Sequence, residues 1–367
     1  MKIQGIISYL ESIAPPQLQE HYDNAGLITG SLDWDCSGIL ICLDATEDVI
    51  NEAIEKKCNL VVAHHPIIFK GLKKINGKNY VERTIIHAIK NDVAIYAIHT
   101  NLDNILTGVS GKMGSLLGLE NMQVLSAKEN TLQKLYTYIP NEKLDEVRQA
   151  VFNAGAGQIG KYSSCSFNTP GIGTFKAEAE ADPYVGEVGH LHKEEEVRVE
   201  IIFPFYLRHK VISALKEAHP YEEVAYDIIT LSNNYEKVGS GITGILPKPM
   251  DAVDFLQLLK ETFNVPVIRH TELLNKKIEK VALCGGAGSF LIPSAIAMGA
   301  DIYITGDVKY HEFFDADNRL IIADIGHYES EQFTINLLHE LLELKFPNFA
   351  VLKTGVNTNP LRYFIEK

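Results

Sequence analysis

The chain has 367 residues, and 34 basic against 47 acidic side chains leave a formal net charge of −13. A composition that is 46% hydrophobic and 22% charged is that of an ordinary globular chain, which excludes a disordered tail, a collagen-like repeat and a disulfide mini-protein. The acidic balance argues against phosphate-backbone binding, so nucleic acid is an unexpected partner, although a metal ion could still seat a nucleotide.

The opening MKIQGIISYLESIAPPQ reads as a short amphipathic helix stopped by Pro15 and Pro16, not as a signal peptide. No apolar run approaches the roughly 18 residues needed to cross a bilayer. The five cysteines (Cys36, Cys42, Cys58, Cys165, Cys284) are odd in number and form no CxxC pair. A disulfide framework or a structural zinc site is therefore not expected, and a cytoplasmic location is.

Over residues 1–127, GILICLDAT, NLVVAHHP and VAIYAIHTN read as strands, with EDVINEAIEKK and VERTIIHAIKND as helices between them. That alternation indicates parallel βαβ units, and the nearly continuous apolar runs suit strands covered on both faces. Residues 239–367 return to the same grammar. KIEKVALCGGAG, DIYITGD, LIIADIG and FAVLKTGVN are strands, FLIPSAIAMGA a helix, and HYESEQFTINLLHELLELK one long helix. The expected fold class is thus α/β with a central sheet. Residues 128–238 differ, with the order strand, helix, strands, helix, strand of a ferredoxin-like α+β insert that splits the α/β domain. Within it, the acidic runs AEAEAD (177–182) and EEE (194–196) read as solvated hairpin surface.

His64-His65-Pro66 closes one of the apolar strands. Ligands of α/β sheets gather at the carboxyl ends of parallel strands, and two imidazoles beside an apolar strand cost desolvation unless something uses them. Neighbouring side chains of a regular strand face opposite ways, so Pro66 is read as ending the strand and letting both rings turn into one cavity. The plainer alternative is a hydrogen-bonded pair capping the sheet.

The next strand ends in His99, Thr100, Asn101 and Asp103. Asp103 offers a hard oxygen ligand, or else a turn or N-cap carboxylate. His99 reads as an acid–base or supporting group rather than a direct ligand. In GHYESEQ, His327 and Glu331 stand four apart on one helical face, with Glu329 pointing elsewhere. A first-turn acid near the helix dipole is the alternative for Glu331, and it leaves His327 unexplained.

Three histidines and two carboxylates from three strand ends of one sheet make five donors. A single tetrahedral zinc needs three or four. Five donors, one carboxylate bridging, suit two ions about 3.5–4 Å apart. Mixed imidazole and carboxylate donors fit zinc, manganese, iron or nickel better than calcium.

Weaker features surround these. CGGAGS (284–289) lacks the Lys-Ser/Thr ending of a phosphate loop and reads as a tight turn. GDVKYHEF sets Asp307, Lys309 and His311 where they could line the same cleft, and HYDNAGL and LDAT are polar turns that could touch a substrate. GAGQIGKYSSCSF and HPYEEVAYDI, in the insert, are either loop punctuation or a binding face.

Through DNAGL, VVAHHP, IHTNLDN, GGAGS, TGDVKYHE and GHYESE, the chain resembles, over essentially its whole length, the NIF-three-like (DUF-thirty-four) family. Bacterial members of that family are named GTP cyclohydrolase type-two homologues. The middle segment is similar to the PII/CutA-like insert of the longer bacterial members. The resemblance implies two divalent cations per chain, zinc foremost, held at His64, His65, Asp103, His327 and Glu331, with Glu331 shared. It also implies a ring-like homohexamer with the metal sites facing an internal cavity. The expected function is a metal-dependent hydrolase of a nucleotide or related small molecule, by purine-ring opening or phosphate-ester cleavage. The alternative is a non-enzymatic metal-binding regulatory or interaction protein with a ligand-sensing insert.

Overall fold

The computed structural model describes residues 1–364. Contacts divide the chain into two compact units, one of residues 128–235 and one of the residues on either side. The first unit opens with α1 (Ile3–Ile13), which buries Ile3, Ile6, Ile7 and Leu10 along one stripe and ends before the two prolines. There follow β1 (Gly26–Thr29), β2 (Ile39–Asp44), α2 (Glu47–Glu55), β3 (Leu60–His65), α3 (Tyr80–Lys90) and β4 (Ala94–Ala97). The short α4 (Thr100–Asp103), α5 (Val109–Leu116) and β5 (Glu120–Ala127) complete this half. Helix α2 starts where Thr46 Oγ1 accepts from the Val49 N–H, with Glu47 and Asp48 in its first turn.

The inserted unit supplies β6 (Leu132–Pro140), α6 (Leu144–Asn153), β7 (Phe167–Lys176), β8 (Leu191–Pro204), α7 (Arg208–Ala218) and β9 (Tyr226–Thr230). Its sheet runs β7-β8-β6-β9, antiparallel throughout. Leu135, Val147, Val151, Val199, Val211 and Leu215 form its core. The run 194–196 is not simply solvated surface. Glu196 is only 9% exposed, because strand alternation turns it away from Val197 and Val199 and under Tyr221, whose hydroxyl donates to it.

The chain re-enters the first unit as β10 (Gly239–Met250), α8 (Ala252–Thr262), β11 (Arg269–His270), β12 (Ile278–Ala287), α9 (Ile292–Ala297) and β13 (Ile302–Gly306). It ends through β14 (Ile321–Asp324), α10 (His327–Glu331), α11 (Thr334–Lys345) and β15 (Val351–Lys353).

The single central sheet expected from the strand pattern is in fact two. One runs β1-β4-β3-β2-β15 and the other β11-β14-β13-β12-β10-β5. Each has a parallel core, β2-β3-β4 or β12-β13-β14, and each core is flanked by an antiparallel strand that occupies the hydrogen-bonding edge a continuous sheet would need. The two halves of the sequence are still interleaved, since β15 pairs with β2 and β5 with β10. In the second sheet Val281 and Leu283 enter one core while Ala282 and Cys284 enter the other. Both faces are therefore buried, which is why the strands read as continuous apolar runs.

The long helix expected after LIIADIG is interrupted at Gln332 and Phe333. Gln332 Nε2 donates to the Phe263 carbonyl at 2.8 Å, and the Phe333 ring meets that of Phe263 edge-on with ring centroids 5.9 Å apart. No helix among the described residues is long and apolar enough to cross a membrane. Phe255, fully buried on α8, anchors the core of the second sheet. Phe255→Ala should cost about 3–5 kcal/mol, read as a lower urea midpoint of unfolding.

Candidate metal centre

The carboxyl ends of β2, β3 and β4 in one sheet and of β12, β13 and β14 in the other contribute to one cavity of about 890 Å³. His64 and His65 end β3, Asp103 ends α4 just past β4, and His327 and Glu331 bracket α10 just past β14. The structure thus brings all five sequence-identified donors together, though from two sheets rather than one. His65, His327 and Glu331 form one group with donor atoms within 4.8 Å of one another, and His64, Asp103 and Glu331 form a second. Glu331 belongs to both. Its Oε2 lies 2.9 Å from His65 Nε2 and 3.1 Å from His327 Nε2, while its Oε1 lies 3.8 Å from His64 Nε2. His64 Nε2 is also 3.6 Å from Asp103 Oδ1. A third group joins His99 to His64 and His65.

Each imidazole is anchored from behind. His64 Nδ1 bonds the Ile98 carbonyl at 2.8 Å, and His65 Nδ1 the Asp44 carboxylate at 2.8 Å. His99 Nδ1 meets Asp23 at 2.9 Å, and His327 Nδ1 meets Asp307 at 2.8 Å. Every one of these partners is an acceptor, so each Nδ1 carries the proton. In the neutral rings Nε2 is then a bare lone pair. His65 Nε2 and His327 Nε2 face each other at 3.4 Å. His64 Nε2, Asp103 Oδ1 and Glu331 Oε2 are buried without a hydrogen-bond partner. Lone pairs crowded this way call for a cation, and the buried acceptors are costly without one.

Without a metal, protons take the place of the cation at two of these rings. Burial alone would depress the His65 imidazolium, but Asp44 and Glu331 outweigh it and lift its pKa to about 10. His327, opposed by burial and supported by Glu331 and Asp307, rises to about 9. Burial would raise Glu331, yet the imidazoles of His327, His64 and His65 hold its carboxyl well below the usual range. Asp103 keeps 27% of its side chain open, but its inner oxygen is sealed; burial and the Glu331 charge push its carboxyl up to about 7.

Several supporting residues lay in stretches whose role the sequence left open. Asp23 belongs to HYDNAGL, Asp44 to LDAT and Asp307 to GDVKYHEF, and each orients one ring. Lys309 and His311, by contrast, do not line the cavity. Asp324 gave no sign in the sequence beyond ending LIIAD. It accepts from the Gly326 and Val308 N–H groups and pairs with Arg269, so one carboxylate fixes both loops that carry His327 and Asp307. Glu329, set aside in the sequence, is buried and takes bonds from Asn359 and Tyr363, while Thr358 donates to Asp44. The C-terminal segment is thereby tied to the cavity wall. The glycine run at 284–289 proves to be a close approach: Gly286 has φ +64°, and a Cβ there would collide with Glu331 Oε1.

A two-sheet α/β unit with imidazoles and carboxylates gathered between strand ends defines a protein with a candidate metal-binding His/Glu cluster. The family model for Duf34/NIF3 (NGG1p interacting factor 3) matches residues 1–360, and the chain belongs to that family. A Halalkalibacterium halodurans protein named "GTP cyclohydrolase 1 type 2 homolog" is 40% identical over 365 residues, covering 98% of each chain. A Bacillus subtilis protein of the same name is 38% identical over 366 residues, again 98% of each. The crystal structure of a Bacillus cereus protein related to NIF3 superposes with a TM-score of 0.85 at 39% identity, covering 99% of both chains.

Gly286→Ala should strain the backbone and push Glu331 aside, costing about 1–3 kcal/mol. A thermal melt reads the cost, and a crystal structure of the variant shows whether the Glu331 carboxylate has left His65 and His327.

Proposed function

We propose that the cavity holds two divalent cations, zinc foremost with iron, manganese or nickel as alternatives, and that the protein is a metal-dependent hydrolase of a nucleotide or related small molecule. The observation that carries this reading is the facing pair of Nε2 atoms at 3.4 Å, with the buried Glu331 Oε2 at 2.9 Å from one and 3.1 Å from the other. The Glu331 carboxylate presents its two oxygens to two donor sets, which suits a bridging role. His65 and His327 would serve one ion, His64 and Asp103 the other. Anchoring of every Nδ1 fixes the tautomer and orientation that ligating imidazoles need. Bound there, a metal pair supplies Lewis acidity and a water acidified toward a pKa of about 7.

The protein's own groups would do the rest. His99, oriented by Asp23 and open to the cavity, is placed to carry a proton. Tyr22, Phe69 and Phe290 stand exposed at the cavity wall and could stack a planar ring. Among the described residues no lysine or arginine lines the cavity, so any phosphate would depend on the metal ions for charge.

The same reading takes the inserted unit as ferredoxin-like, of the PII/CutA kind. Its order β6-α6-β7-β8-α7-β9 and its sheet order support that assignment. A homohexamer in the cytoplasm completes it, to be measured by light scattering on the purified protein.

Zinc- or manganese-loaded protein should turn over at least one member of a panel of GTP, ATP, nucleoside monophosphates and p-nitrophenyl phosphate. His65→Ala and Glu331→Gln should each lose about a hundredfold or more of that turnover and lower the bound metal. Turnover that ignores metal and both variants, or elemental analysis that finds no retained metal, overturns the reading. Metal retention without turnover of any compound favours the regulatory alternative.

Metal binding should also release protons. Imidazolium competes with the metal below its pKa, and His65 and His327 lie at about 10 and 9 before metal enters. Apparent zinc affinity should therefore climb as pH rises from 6 to 9, by up to about tenfold per unit for each proton released. Calorimetry in buffers of different ionisation enthalpy measures the proton count.

A further inference from the structure

The HPYEE stretch of the inserted unit takes no part in the metal cavity, yet it builds a cavity of its own. This space, about 440 Å³, is walled by Phe175, Tyr184 and Tyr221, with Glu196 inside and Glu222 and Glu223 also lining it. Its volume is that of an ordinary small-molecule pocket. We propose that it binds a small organic cation, a primary ammonium on an apolar or aromatic stem.

Glu196 carries the proposal. The residue is nine-tenths buried, and its Oε1 accepts from the Tyr221 hydroxyl at 2.7 Å. No lysine, arginine or histidine pairs with it among the described residues. Its other oxygen, Oε2, lies over Gly173, where a Cβ would collide with it. A carboxylate buried without a countercharge is costly, and a cation entering the cavity would relieve that cost.

The neighbours do not supply the charge. His219 accepts from the Tyr221 N–H at Nδ1, so its proton sits on Nε2, which donates to the Tyr138 carbonyl at 2.9 Å. Burial holds the His219 pKa below its usual value, so this ring is neutral. Burial and then Glu196 raise the Tyr221 phenol, which stays protonated as a donor.

The walls suit the same ligand. Phe175 and Tyr184 each lie 6.2 Å from the Tyr221 ring, centroid to centroid, and together they offer π faces to a cation. A nucleotide fits poorly, because its phosphates would meet Glu196, Glu222 and Glu223 with no basic residue to receive them. A hard metal ion fits poorly too. It needs six or more oxygens, whereas one Glu196 oxygen serves Tyr221, one Glu222 oxygen accepts from the Asp182 N–H, and aromatic carbon forms much of the wall.

The test is calorimetric titration of the full-length protein with benzylamine and with benzyl alcohol, its neutral isostere. Benzylamine should bind about tenfold or more tighter than the alcohol. Glu196→Gln should erase that preference, while Tyr221→Phe, which keeps the ring, should weaken benzylamine only severalfold. His65→Ala, in the other cavity, should leave benzylamine binding unchanged, and neither GTP nor zinc should displace the amine. Equal affinity for amine and alcohol in the unaltered protein overturns the proposal without recourse to any variant. So does a preference that survives Glu196→Gln, one that vanishes in His65→Ala, or displacement of benzylamine by GTP. Success or failure here is independent of whether the metal cavity turns over a nucleotide.

Discussion

Because each of four imidazoles donates its Nδ1–H to an acceptor behind it, four Nε2 atoms turn toward a shared space to which Glu331 and Asp103 add carboxyl oxygens. That arrangement is unfavourable as it stands. Protons can relieve part of it, which is why His65 and His327 hold theirs so far above the normal imidazole range. A divalent cation would relieve it more fully, since it accepts several lone pairs at once. Much of the surrounding structure serves to hold these rings in place: Asp44, Asp23, Asp307 and the Ile98 carbonyl behind them, Asp324 beneath the loops, and the C-terminal segment against Asp44 and Glu329.

Two sheets, rather than one, make the convergence geometrically simple. A single sheet would set strand ends in a row about 4.8 Å apart per strand, spreading donors along a line. With two parallel cores ending at one cavity, β3 and β4 approach from one side and β12 to β14 from the other. The glycine at position 286 then allows the Glu331 carboxylate to lie directly against the end of β12. Ser330 adds a tie by accepting from the Gly286 N–H.

The inserted unit follows a different plan. Its one buried carboxylate has an aromatic setting and no imidazolium, whereas the metal cavity sets carboxylates among imidazoles. The contrast between a histidine-rich and a histidine-poor acidic cavity is what separates the proposed transition-metal site from the proposed organic-cation site.

The order of strands and helices could be read from sequence, because apolar runs, turn residues and the amphipathic stripe of α1 are local patterns. The five residues that meet in the cavity could be picked out as well, since His-His-Pro at a strand end, an Asp just past the next strand, and His and Glu four apart on a helix are short-range features with a chemical reason. Division into two sheets could not, because pairing β15 with β2 and β5 with β10 depends on which edges meet across more than a hundred residues. The break at Gln332 could not either, being held by Phe263, and the burial of Glu196 depends on Tyr221, 25 positions away. Asp324, Glu329 and Asp44 look like ordinary acids in a sequence. Their roles arise only when distant loops meet, because a hydrogen bond is decided by distance and angle in space, which one-dimensional spacing does not carry.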